Sequence, residues 1–106
     1  MLTVLVLLAQ IAAAQPQAGE ALIAQSKWPE AAAVFETLTG ADPKDAASWG
    51  ALGLAYFNLG RVDAASEAYE KALALDPASP RAIVGVARVA IARGDAKKAV
   101  AGIARA

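Results

Sequence analysis

The side chains that could carry acid–base or metal chemistry are few. Asp42, Asp45, Asp63, Asp76 and Asp95 fall at turns or helix starts, where a carboxylate accepts hydrogen bonds from free backbone N–H groups. No carboxylate pair stands apart from that background, which argues against a glycosidase-like pair or a metal–carboxylate site. The chain has no His, so the usual general base and the commonest transition-metal ligand are missing. It has no Cys either, which removes thiolate metal sites, Cys nucleophiles and disulfides. Lys and Arg together number 10 and so do Asp and Glu, and a balanced charge gives no field that favours nucleic acid. Arg93, Asp95, Lys97 and Lys98 read as solvated surface. The expectation is a chain with no catalytic residue, no metal and no cofactor, and hence not an enzyme.

The elements that position the remaining residues repeat. Asp42-Pro43 recurs as Asp76-Pro77, 34 residues on, and the same offset links Gly19 with Gly53, Leu22 with Tyr56, Ala31 with Ala65 and Ala99, Phe35 with Tyr69 and Ile103, and Gly60 with Gly94. Three units result, at about 12–45, 46–79 and 80–106, the last ending about seven residues short. Each unit reads as two helices. Trp49, Leu52, Gly53 and Tyr56 fall at i, i+3, i+4 and i+7 on one helical face, and Ala65, Ala68, Tyr69, Ala72 and Leu73 form the stripe of the next. Asp45 and Asp63 are the expected N-caps, Gly60 the expected stop, and Ser79-Pro80 a cap followed by Pro at the first helical position. An Ala-rich composition supports an all-α fold.

The run from Leu2 to Ala14 carries no charge and is shorter than the roughly 20 apolar residues that span a bilayer. With Ala12 and Ala14 in an A-x-A arrangement, residues 1–14 read as a signal peptide cleaved before Gln15. The mature protein is then expected in the periplasm or secreted, and with no Cys after the run it is not a lipoprotein. The alternative is a hydrophobic helix packed on the first repeat of a cytoplasmic or membrane-associated protein.

Trp49, Leu52, Gly53, Tyr56, Ala65, Tyr69, Ala72 and Pro77 closely resemble the tetratricopeptide repeat signature. Gly19, Leu22, Ala31, Phe35, Leu38 and Pro43 match it more loosely, as do Ile83, Val86, Ala87, Ala90, Ala99 and Ile103. The resemblance implies a right-handed superhelical stack of antiparallel helix hairpins over residues 15–106. In such a stack Gly53 and Ala65 allow close helix crossing, while Trp49, Tyr56, Phe35 and Tyr69 fill the wider gaps. Trp28 buttresses a turn.

The resemblance also implies a concave groove lined by the first helix of each repeat. Its exposed positions carry over to Pro16, Glu20, Ile23 and Ala24, then Ala47, Gly50, Leu54, Phe57 and Asn58, then Arg81, Val84, Arg88, Ile91 and Ala92. Leu54, Phe57 and Ile91 are candidate apolar anchors, with Val84 beside them. Asn58 offers both a donor and an acceptor to a peptide unit, and Arg81 with Arg88, two helical turns apart, is a candidate carboxylate reader. The clamp with which some family members hold a C-terminal carboxylate is disfavoured, because Pro16, Glu20, Ala51, Arg81 and Gly85 occupy its places and supply one cation. The expected function is a non-catalytic scaffold that binds a protein or peptide in the groove. Two alternatives stand beside it: an accessory segment of a larger envelope-assembly protein or enzyme, and a homo-oligomer formed through an uncapped C-terminal end.

Overall fold

The computed structural model describes residues 15–94. The apolar run, Asp95, Lys97, Lys98, Ala99, Ile103 and the expected C-terminal pairing surface lie outside them. Five helices follow one another: α1 Pro16–Ala24, α2 Trp28–Ala41, α3 Ala46–Asn58, α4 Val62–Leu75 and α5 Pro80–Ala92. Two complete hairpins and the first helix of a third form an all-α solenoid, with no strand among the described residues.

The boundaries follow from local chemistry that recurs at the 34-residue offset. Both Asp-Pro turns fold alike: Asp42 Oδ1 accepts from Lys44 N at 3.1 Å, and Asp76 Oδ1 accepts from Ala78 N at 3.1 Å. These side chains mimic a backbone turn. Asp45 caps α3 by accepting from Ser48 N, and Ser79 caps α5 by accepting from Ala82 N, with Pro80 opening that helix. Asp63 does not cap α4. A hydrogen bond from Ala65 N to Arg61 O closes the first turn two residues earlier, so Asp63 sits inside the helix start and pairs with Arg93.

Gly60 and Gly94 take φ of +79° and +82° in the turns after α3 and α5, a conformation that costs a residue with a Cβ about 1 kcal/mol or more. The equivalent place after α1 is filled by Ser26, also at positive φ, 57°.

Packing runs between neighbouring helices of the stack. Ala31, Ala32, Phe35, Ala51, Leu52, Ala55 and Ala68 form one buried cluster, with Trp28, Trp49 and Tyr56 against it. Ala65, Tyr69, Ala72, Ala82 and Val89 form a second. Small residues dominate both, so the helices approach closely and the aromatics fill what space is left. Tyr69 is the clearest case. A Cβ placed on Gly53 of α3 would lie 2.7 Å from the Tyr69 ring, and one on Gly85 of α5 closer still. The ring is therefore wedged between two glycines on neighbouring first helices, 1% exposed.

Candidate functional site

The first helices α1, α3 and α5 lie side by side, with α3 in the middle and in contact with both others. Between α3 and α5, over the edge of the Tyr69 ring, a cleft of about 290 Å³ opens, lined by Leu54, Tyr69, Pro80, Arg81, Val84 and Arg88. Four of the sequence-expected groove residues, Leu54, Arg81, Val84 and Arg88, thus meet in one place. Leu54 is half-buried, while Val84 and Arg88 are exposed.

The other expected groove residues lie outside this lining. Phe57 is half-buried against the Tyr69 cluster. The Asn58 amide donates to Leu54 O of its own helix at 2.9 Å, so part of its hydrogen-bonding capacity is already used. Ile91 is 60% exposed, two turns beyond Val84. Ile23 packs into the first core cluster, and Gly50, expected to be exposed, is buried.

Gly50 is covered by Arg81. The Arg81 side chain crosses α3 at that point, since a Cβ on Gly50 would stand 3.7 Å from Arg81 Cδ. Beyond it the guanidinium donates to both Glu20 carboxylate oxygens on α1, at 2.7 and 3.2 Å. The hydrogen bond to Glu20 raises the Arg81 pKa further, against an opposing effect of burial. Arg81 therefore has a carboxylate partner within the chain. Arg88 has no ion pair among the described residues and is the cation that the cleft leaves available.

Tyr69 was expected only to pack, and it also lines the cleft. Desolvation pushes its hydroxyl up to about 12, opposed by the positive charges of Arg88 and Arg81 nearby. The phenol stays neutral at any ordinary pH and can donate or accept a hydrogen bond. Pro80, expected only as a helix-start residue, also lines the cleft. The signal that could have found both is the stacking itself, which brings α4 and the start of α5 under the groove.

A second concavity, of about 320 Å³, lies between Pro43, Trp49, Lys71, Ala74 and Leu75. Its polar groups are engaged with one another: Trp49 Nε1 donates to Pro43 O at 2.8 Å, and the Lys71 ammonium lies 4.4 Å from the Trp49 ring centre. Among the described residues no group of His, Cys, Asp or Glu could hold a metal ion, and no helix is long and apolar enough to cross a membrane.

A family model described as tetratricopeptide repeat matches residues 17–80 and again 51–106. No curated protein matches the sequence. Among solved structures, PcrH in complex with the chaperone binding region of PopD is similar at 26% identity and a TM-score of 0.77, over 82% of this chain and 65% of that one. MamA from Desulfovibrio magneticus RS-1 is similar at 27% identity and a TM-score of 0.78, over 84% of this chain and 50% of that one. The Yersinia enterocolitica type III secretion translocator chaperone SycD shares the fold at 22% identity and a TM-score of 0.79, over 84% of this chain and 61% of that one. The chain spans about half to two thirds of the length of these proteins.

Proposed function

The chain belongs to the tetratricopeptide repeat family, and from that premise we propose that it is a non-catalytic scaffold holding a segment of a partner protein across α3 and α5. The observation that carries the reading is the cleft between those helices. Leu54 and Val84 give it apolar walls, and Arg81 and Arg88 stand at its rim. An exposed apolar concavity with a few convergent polar groups is the usual form of a binding site. The described residues offer binding surface and no nucleophile–base pair, so recognition consists of burying an apolar side chain and orienting the backbone that carries it. The complex of PcrH with the chaperone binding region of PopD is a precedent for a similar fold holding a protein segment.

Photo-crosslinking tests this reading. A photoreactive amino acid at Val84 is expected to trap a partner from the native extract, and one at Ala74, in the second concavity, is not. Trapping at Ala74 alone would move the binding face and end the proposal.

Export belongs to the same proposal. Its support is the uncharged Leu2–Ala14 run with Ala12 and Ala14 before Gln15. N-terminal sequencing of the native protein is expected to begin at Gln15; an intact Met1 or Leu2 start would refute it. Self-association is the alternative that calls for a separate measurement. Light scattering that shows a monomer at tens of micromolar would remove it.

A further inference from the structure

Resting on the cleft as the binding face, we infer that its ligand is an extended peptide segment with an apolar side chain next to an Asp or Glu, the apolar group seated between Leu54 and Val84, the carboxylate paired with Arg88 and a backbone group hydrogen-bonded to the Tyr69 hydroxyl.

Three observations carry the inference. The first is charge. The cleft is lined by two cations and no anion, and Glu20 takes up only Arg81. Arg88 is left as an exposed guanidinium beside apolar wall, where the planar fork suits a carboxylate better than any neutral group.

The second is the Tyr69 hydroxyl. The ring is 1% exposed, and no hydrogen bond ties its hydroxyl to another described residue. Since no fully enclosed side-chain N or O among the described residues lacks a partner, the hydroxyl is not sealed in the core, and Tyr69 lines the cleft. A ligand that displaced water there without replacing its hydrogen bond would lose affinity. A peptide backbone supplies both a donor and an acceptor.

The third is the comparison between repeats. One unit earlier, the same place in the stack holds Phe35 with Ala51 in a shared core cluster, where this interface holds Tyr69 with Gly85. The hydroxyl and the loss of a methyl group occur together, and a Cβ at 85 would collide with the ring. The second interface thus differs from the first by a hydroxyl on its second helix and a glycine on the first helix that faces it.

The test is selection of random heptapeptides displayed on phage against the full chain and against its Arg88→Glu and Tyr69→Phe variants, with circular dichroism to check that each variant folds. The wild type is expected to enrich peptides with Leu, Ile, Val or Phe within two residues of Asp or Glu. Arg88→Glu is expected to lose the acidic preference while keeping the apolar one. Tyr69→Phe is expected to bind the best wild-type peptide roughly three- to tenfold more weakly, as loss of one hydrogen bond predicts. Apolar enrichment with no acidic preference, or an acidic preference that survives Arg88→Glu, would overturn this inference and leave the groove standing. Unchanged affinity of Tyr69→Phe would overturn the hydroxyl's part in it. No enrichment of any peptide class would overturn the groove reading together with this one.

Discussion

Arg81 and Glu20 are 61 residues apart in the chain and 2.7 Å apart in the fold. Their pairing ties the first helix of repeat one to the first helix of repeat three across the buried Gly50 of repeat two. The two side chains are 37% and 47% exposed, so the pair contributes about 1 kcal/mol or less. Its larger effect is geometric, because it fixes where one of the two groove cations points.

A double-mutant cycle with Arg81→Ala and Glu20→Ala, read by urea unfolding, is expected to give a coupling of about 0.5–1 kcal/mol. Raising salt from 0.05 to 1 M should shrink it, since exposed charges are screened. A coupling above about 3 kcal/mol would mean that the pair is a principal support of the stack.

Ser26 occupies the place that Gly60 and Gly94 fill in the other turns, at the same kind of positive φ. Ser26→Gly is expected to stabilise the chain by about 0.5–1 kcal/mol, as relief of left-handed strain outweighs the added freedom of the unfolded chain. Gly60→Ala should destabilise it by about 1–2 kcal/mol. Thermal or urea midpoints check both, and opposite signs would refute the turn assignment.

Tyr69 gives alkaline pH a specific effect. Its folded pKa of about 12 lies above the ordinary 10, so folding favours the neutral phenol. That contribution is complete below pH 10. It falls as pH rises, because the unfolded chain ionises first, and is gone once pH passes about 12. The loss amounts to at most roughly 3 kcal/mol. Tyr56 is raised as well, chiefly by desolvation, so Tyr69→Phe is the control. The variant should show a shallower loss of stability between pH 10 and 12, and equal slopes would contradict the account of the buried ring.

Gly85→Ala would improve helix propensity by about 1 kcal/mol, yet its Cβ would run into the Tyr69 ring. Overpacking of this kind costs about 1–3 kcal/mol. A net loss in urea unfolding is therefore expected, whereas a net gain would show that the ring moves aside freely.

Much of the fold was legible because its signals are local. The Asp-Pro turns, the Asp45 and Ser79 caps and Gly60 each act within four residues, and a 34-residue period repeats them. Asp63 misled because a capping residue and a first-turn residue carry the same side-chain preference, and the hydrogen bond from Ala65 N to Arg61 O decides between them. Leu54, Arg81, Val84 and Arg88 could be gathered from the resemblance, since it supplies the face. The Glu20 partner of Arg81 could not, because it depends on how far two helices in different repeats are carried by stacking. Tyr69 belongs to a second helix, and only the paired glycines at 53 and 85 show that its ring lies between the first helices that form the cleft.

The central claim is that a partner segment lies across α3 and α5, and amide chemical-shift mapping of the 15N-labelled full chain with a display-selected peptide tests it most directly. The account predicts the largest shifts at Leu54, Tyr69, Val84 and Arg88, with Trp49, Lys71 and Leu75 unmoved. Shifts confined to Trp49, Lys71 and Leu75 would contradict it.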